Sequence, residues 1–168
     1  DCGPGSIVFI EGAFAVHPQY GAKITVKSIR PAADDEYDQL ELVEGPPTPV
    51  ERMEADLRDL IATVQNPDLR ALLDRFFAPE SRHWRRFREA PAAKYYHQAY
   101  VHGLLDHSLS VAEAVSASSS AFPGIDRDVA VTGALLHDIG KIQAYNDDPL
   151  AFDLTDAGRL QGEIPLGY

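Results

Sequence analysis

One apolar segment that ends in a charged pair constrains this chain most: residues 133–141, with the sequence Gly-Ala-Leu-Leu-His-Asp-Ile-Gly-Lys. The pattern predicts a helix that begins after a cap at Asp126 and ends at Gly140, because glycine takes the left-handed conformation of a helix terminus at little cost. Adjacent helical residues point about 100° apart, so His137 and Asp138 can converge on one ion only at the helix end. Neutral imidazole and carboxylate are suitable ligands for divalent transition metals.

A further histidine lies 30 residues before this pair, within a second helical pattern. The segment Gly103–Val111 has leucines at helical spacing, and its helix is expected to break at 122–124, Phe-Pro-Gly. The combination of this upstream histidine with a later His-Asp pair resembles the HD superfamily of metal-dependent phosphohydrolases. The resemblance implies that His107, His137 and Asp138 bind one metal ion. The alternatives are a capped helix end without a metal and a degenerate fold of the HD kind.

The composition is that of a globular chain, since 45% of its 168 residues are hydrophobic and 24% are charged. The single cysteine, Cys2, excludes an internal disulfide framework and favours a reducing, cytoplasmic setting. The sequence has no apolar run of about 18 residues and no signal-peptide pattern, so no membrane association is expected. The net charge of −11 argues mildly against a nucleic-acid partner, because phosphate affinity comes largely from Lys and Arg.

The hydrophobic period changes along the chain, and it predicts a mainly α fold preceded by a small β segment. Residues 1–30 hold short apolar runs separated by Glu11–Gly12 and a turn at 17–21, which predicts two or three antiparallel strands similar to part of an OB-fold. Residues 31–48 combine an acidic run with prolines and predict a linker. Residues 49–168 predict a helical bundle of the HD type that is incomplete at its C-terminus.

Three further helix starts follow from capping residues. Thr48 precedes Pro49 and predicts a cap with proline at the first helical position. Asn66 stands in the same relation to the next helix, and Thr155 is expected to cap a short terminal helix.

The stretch 81–102 interleaves basic and aromatic side chains, which is the chemistry of single-strand binding: cations neutralise phosphates and rings stack on bases. The basic residues predicted to bind nucleic acid are Arg82, Arg85, Arg86 and Lys94. The alternative interpretation places the aromatic rings in the core and the arginines on an outer face. The aromatic residues concerned include Trp84, Phe87, Tyr95 and Tyr96.

The order of segments resembles one branch of the HD superfamily, the YhaM-type 3′–5′ exoribonucleases. The resemblance covers nearly the whole chain and rests on six segments: Ile29–Tyr37, Asn66–Leu73, Phe87–Lys94, Gly103–Val111, Gly133–Lys141 and Gly158–Ile164. This chain departs from the family in three places. Gln98 replaces the second of two histidines, His102 replaces a glycine, and Glu163 replaces a histidine.

The resemblance implies a site and a cofactor. His107, His137 and Asp138 are the expected metal ligands, and manganese is the expected ion, with magnesium, iron, nickel or zinc as alternatives. Lys141 is expected to act with Asp138 in catalysis by neutralising charge on a phosphate. A second metal or the substrate is expected at residues drawn from His97, His102 and Glu163. The last aspartate of the HD set is expected beyond Tyr168, and a homo-oligomer is expected because related enzymes are often multimers.

Three functions are compatible with these patterns. The first is a metal-dependent 3′–5′ exonuclease that acts on single-stranded RNA or DNA. The second is an HD-type phosphohydrolase that acts on mononucleotides. The third is a catalytically degenerate nucleic-acid-binding module, which the replaced histidine at position 163 favours.

Overall fold

A computed structural model describes residues 3, 6–33, 35–38 and 42–168. The chain divides into two units, Asp1–Val43 and Glu44–Tyr168. The first unit contains a β-hairpin and the second is helical, so the predicted fold class, mainly α after a small β segment, is confirmed. Cys2 and Asp34, which entered the predictions of compartment and linker, lie outside the described residues. The three-part division at residues 30 and 48 stays a prediction.

The hairpin consists of strand β1 (Val8–His17) and strand β2 (Gly21–Pro31), paired antiparallel from Val8 opposite Pro31 to His17 opposite Gly21. The predicted turn at 17–21 is confirmed, and Gly21 has the positive φ of 71° that the reversal requires. The predicted break at Glu11–Gly12 is instead a shift of register within one continuous strand. A Cβ on Gly12 would lie 2.6 Å from the carbonyl oxygen of Thr25, so the irregularity needs glycine.

Side chains on both strands of the hairpin are exposed, and none of the described residues of this unit is buried. Phe14 and Val16 are each 69% exposed. The end of β2 is tied to the chain after it, because the Arg30 guanidinium donates to both carboxylate oxygens of Glu36 at 2.6 Å. Hydrogen bonds and turn geometry therefore determine the register of this hairpin more than burial does.

The helical unit contains eight helices among the residues that the structure describes. They are α1 (Val50–Ala62), α2 (Pro67–Phe77), α3 (Trp84–Glu89), α4 (Gly103–Ser119), α5 (Arg127–Leu136), α6 (Lys141–Ala144), α7 (Asp156–Gln161) and α8 (Glu163–Leu166). The apolar faces of α1 to α6 meet in one core, to which these fully buried side chains contribute: Val64, Leu73, Phe87, Leu104, Leu105, Val131 and Leu135. The packing of α4 against α5 is the most extensive between any two of these helices and brings the site together.

Most predicted helix starts are confirmed by side-chain caps. The Asn66 side chain accepts from two backbone N–H groups of α2, the Asp126 carboxylate does so for α5, and Thr155 caps α7. The predicted cap at Thr48 is wrong, because α1 begins at Val50, with Pro49 as its cap residue and no side-chain cap bond.

The predicted role of Gly140 as a left-handed helix stop is also wrong. Gly140 has right-handed angles, φ −62° and ψ −18°, and α5 ends four residues earlier, at Leu136. Glycine is required there for close approach, since a Cβ would lie 1.8 Å from the carbonyl oxygen of Glu163. His137 and Asp138 consequently lie in the turn between α5 and α6.

Among the described residues, no helix combines the length and the apolar character that crossing a bilayer would need.

Candidate metal centre

Two packed helices bring the predicted ligands to one place. His107 lies in the second turn of α4, and His137 and Asp138 follow directly after the last residue of α5. The Nε2 atoms of His107 and His137 lie 3.5 Å and 3.3 Å from the same carboxylate oxygen, Asp138 Oδ2. The three ligand atoms all fall within 4.8 Å of one another, and in the described part of the chain this is the group of side chains suited to a metal ion.

The hydrogen bonds of the two imidazoles direct their free nitrogens inward. His107 Nδ1 lies 3.0 Å from Gln98 Oε1, and His137 Nδ1 lies 2.7 Å from the Ala134 carbonyl oxygen. A carbonyl oxygen can only accept, so each Nδ1 carries the proton and each Nε2 keeps a lone pair. Metal-binding histidines are usually oriented in this way. Two imidazole nitrogens and one carboxylate therefore fit a divalent transition metal.

Burial of His107 also favours the neutral form of its imidazole. His107 is partly buried, and desolvation lowers its pKa, while the nearby Asp138 carboxylate opposes the shift. A lower pKa keeps the imidazole neutral at pH 7, which is the form that binds a cation.

Lys141 has two partners inside the protein. Its Nζ donates to Asp138 Oδ2 and to the Ala92 carbonyl oxygen, both at 2.7 Å. The side chain is only 12% exposed, so this contact is partly desolvated and orients the carboxylate. The sequence analysis placed Lys141 beside the pair; its action on a phosphate stays a prediction.

The three residues predicted for a second metal or the substrate occupy different surroundings. The exposed His97 ring lies beside His107, with centroids 5.0 Å apart. His102 is turned towards the end of α3, because its Nδ1 lies 2.6 Å from the Arg88 carbonyl oxygen. Glu163 starts α8, and its carbonyl oxygen faces Gly140. Of these three, His97 has the ring that contacts a predicted metal ligand.

The four basic residues predicted to bind nucleic acid already have protein partners. Arg86 donates to the Ile142 and Tyr145 carbonyl oxygens and pairs with Asp147. Lys94 pairs with Asp153 at 2.9 Å. The other two have exposed contacts: Arg82 with His83 at 3.0 Å and Arg85 with Glu89 at 3.8 Å. Arg86 thus satisfies carbonyl oxygens in and directly after α6. A nucleic-acid contact by any of the four basic residues stays a prediction.

The aromatic residues of this stretch divide between the two interpretations. Trp84 and Phe87 are 8% and 0% exposed and belong to the core. Tyr95 and Tyr96 are 77% and 83% exposed, directly before His97 in the chain. The core interpretation holds for the first pair, whereas the rings of the second pair are exposed, and Tyr95 also contacts Lys94.

Three residues of this site were missed by the sequence analysis as contributors. Both Gln98 and Ala92 lie in the loop between α3 and α4; Gln98 accepts a hydrogen bond from the predicted ligand His107, and the Ala92 carbonyl oxygen accepts one from Lys141. Tyr145 lies after α6, and burial, with the charges of Glu163 and Asp138, raises its pKa. Of these three residues, Gln98 could have been suspected from the sequence, because it stands where the related family has a histidine.

Comparison with known proteins agrees with this geometry. Residues 104–166 match the HD domain family, and the matched segment includes all three predicted ligands. Over 165 residues the chain is 29% identical to the 3'-5' exoribonuclease YhaM of Bacillus subtilis (strain 168), covering 97% of this chain and 51% of the relative. The resemblance found in the sequence is thereby confirmed.

The chain spans about half the length of this curated relative. No solved structure matches it. The family match and the grouping of the predicted ligands therefore support the same region of the chain as the candidate site.

Proposed function

We propose that this protein is a metal-dependent phosphodiesterase that removes nucleotides from the 3′ end of single-stranded RNA, with single-stranded DNA as the next candidate substrate. One observation carries the proposal. The Nε2 atoms of His107 and His137 both lie within 3.5 Å of one oxygen of Asp138, inside an HD domain. The similarity to an exoribonuclease supports the choice of reaction and substrate.

His107, His137 and Asp138 would hold the cation, with manganese favoured over magnesium, iron, nickel and zinc. A divalent ion at such a site supplies Lewis acidity to a phosphoryl oxygen and lowers the pKa of a bound water toward about 7. With their protons on Nδ1, the two histidines would leave their Nε2 lone pairs available to bind a cation. Lys141 fixes the Asp138 carboxylate and supplies a positive side chain in contact with it.

The exposed tyrosines support a polymeric substrate. Tyr95 and Tyr96 precede His97, whose ring lies against the predicted ligand His107. A base stacked on an aromatic side chain contributes about 1–3 kcal/mol without sequence preference. Two such rings, exposed and directly before His97 in the chain, would bind the terminal nucleotides of a single strand.

A second candidate function is the hydrolysis of mononucleotides. It is supported by the intramolecular contacts of basic side chains, since Arg86 donates to carbonyl oxygens and Lys94 pairs with Asp153. A mononucleotide needs fewer backbone contacts than a strand does. Cytoplasmic location and a homo-oligomeric state stay predictions under either function.

The first experiment separates an active metal site from a degenerate one. Asp138→Asn is expected to abolish manganese-dependent cleavage of 3′-labelled RNA and the uptake of manganese measured by elemental analysis. Asp59→Asn is the matched control, because Asp59 is an exposed carboxylate of α1 outside the group. Native protein that takes up no divalent ion would favour the non-enzymatic binding module.

The second experiment separates polymer from mononucleotide. Tyr95→Ala with Tyr96→Ala is expected to raise the KM for single-stranded RNA about 10-fold, the size expected for a lost stacking contact. Tyr95→Phe with Tyr96→Phe keeps the rings and is expected to keep that KM. Bis(p-nitrophenyl) phosphate, which has no base, reports the hydrolytic site alone. Equal KM values on RNA for all three proteins, together with turnover of mononucleotides, would favour the second candidate.

A further inference from the structure

We propose that Gln98 is a positioning residue that selects the tautomer of His107, and that Ala92 links this arrangement to the one that holds Asp138. The inference rests on the proposed metal site and concerns residues that do not themselves bind the ion. Both belong to the loop between α3 and α4, which runs from residue 90 to residue 102.

The first step is the contact between two side chains. Gln98 Oε1 lies 3.0 Å from His107 Nδ1, and this amide oxygen accepts the ring proton. His107 Nε2 is then unprotonated and faces Asp138 Oδ2 at 3.5 Å. Were the amide of Gln98 rotated by a half turn, its NH₂ group would donate to Nδ1 and the proton would move to Nε2, where it would prevent metal binding.

The second step is the backbone that holds Gln98 in place. Gln98 has a positive φ of 52°, an unfavourable conformation for a residue with a side chain. Its carbonyl oxygen accepts from the Ala92 N–H at 3.1 Å. Gly103 allows this approach, because a Cβ there would lie 1.9 Å from the same oxygen. Strained backbone that persists because its surroundings determine it is frequent at functional sites.

The third step connects the two ligands. Ala92 is fully buried, and while its N–H holds Gln98, its carbonyl oxygen accepts from Lys141 Nζ at 2.7 Å. Lys141 Nζ in turn donates to Asp138 Oδ2 at 2.7 Å. One residue of the loop therefore supports His107 through Gln98 and Asp138 through Lys141. A displacement of Ala92 would move both ligands.

The decisive measurement is the protonation of the His107 ring in metal-free protein, read from ¹⁵N NMR at a pH where the ring is neutral. Native protein is expected to have the proton on Nδ1. Gln98→Leu removes the acceptor and is expected to give a mixture of tautomers. Gln98→Glu keeps an oxygen acceptor and is expected to restore the Nδ1 tautomer. A native His107 with its proton on Nε2 would overturn the proposal.

Metal affinity provides a second readout. Loss of a residue that orients a ligand typically weakens metal binding 10- to 100-fold. Gln98→Leu is expected to raise the Kd for Mn²⁺ by such a factor in calorimetry, Gln98→Glu to recover most of it, and Gln65→Leu, an exposed control on another loop, to leave it unchanged. Equal affinity in Gln98→Leu and native protein would contradict the proposed role.

These outcomes are distinguishable from failure of the proposed function. Native protein that binds Mn²⁺ with His107 in the Nδ1 tautomer, yet cleaves neither RNA nor bis(p-nitrophenyl) phosphate, would refute the phosphodiesterase and keep the role of Gln98. Should the protein bind no Mn²⁺, the tautomers of native protein, Gln98→Leu and Gln98→Glu would still decide whether Gln98 orients His107.

Discussion

The hairpin and the helical unit differ in what holds their residues in place. Phe14 in β1 is 69% exposed, whereas Phe87 in α3 is fully buried. The hairpin relies on paired backbone groups, one glycine at its register shift and the Arg30–Glu36 contact. The helical unit relies on a continuous apolar core. Close packing resists small displacements, so the unit with the core is the one that can hold three ligand atoms within a few ångströms.

The comparison would be tested most strongly by removing one phenylalanine ring from each unit. Phe87→Ala is expected to lower the free energy of unfolding by about 3–5 kcal/mol, the usual cost of deleting a buried aromatic ring. Phe14→Ala should change it by about 0.5 kcal/mol or less, as surface substitutions do. Denaturant unfolding followed by circular dichroism at 222 nm measures both. Similar losses in the two variants would mean that the hairpin contributes to a core after all.

Manganese should act on one unit only. At about 100 times its Kd, the ion is expected to stabilise the helical unit by about 2.7 kcal/mol, because it binds the folded state alone. Hydrogen exchange followed by mass spectrometry should slow in α4 and α5 and remain the same in β1 and β2. Asp138→Asn is the control that should lose the effect. Equal protection of the hairpin would show that the two units respond together.

Glycines at close contacts allow a finer comparison. Gly140→Ala is expected to cost about 1–3 kcal/mol, since the new methyl group meets the Glu163 backbone within a packed region. A Cβ on Gly12 would lie 2.6 Å from Thr25, less close than the 1.8 Å at Gly140, and the exposed strands can move apart, so we expect Gly12→Ala to cost less than about 1 kcal/mol. Gly133→Ala has open space and should not destabilise. Thermal unfolding of the three variants orders these effects, and a costlier Gly12→Ala would reverse the comparison.

The smallest effect is expected from acid. Hydrogen bonds from Arg30 and from the Ala33 N–H lower the pKa of Glu36 from 4.5 to about 2. A carboxyl group with a lowered pKa stabilises the folded form above its unfolded pKa, and that contribution disappears as the pH falls toward 2. Amide NMR shifts near residue 36 should therefore titrate well below pH 4.5, and Glu36→Gln should abolish the transition. Titration near the ordinary value would mean that the contact is absent in solution.

Much of the helical unit could be predicted from the sequence, and so could the grouping of three candidate metal ligands. Asn66, Asp126 and Thr155 were recognisable as caps because capping depends on residues close in the chain. His107, His137 and Asp138 were identified from their motifs, and the structure brings their ligand atoms together.

Other features depend on contacts between distant residues, which local patterns do not contain. Gly140 was expected to end a helix, yet its absent side chain makes room for Glu163. The hydrogen bond from Arg86 to the Ile142 carbonyl oxygen could not be predicted from the local pattern of basic and aromatic residues. Whether residues 6–16 form one strand or two was left open by the sequence, because the local pattern at Glu11–Gly12 is the same for a break and for a shifted register.

The ion pair inside the metal centre also affects the charge that a substrate would meet. Lys141 and Asp138 cancel each other, and both histidines are neutral in the form that binds a cation. The full double charge of a bound ion would then remain uncompensated by this group. In a chain with a net charge of −11, such a local positive charge would attract a phosphodiester anion.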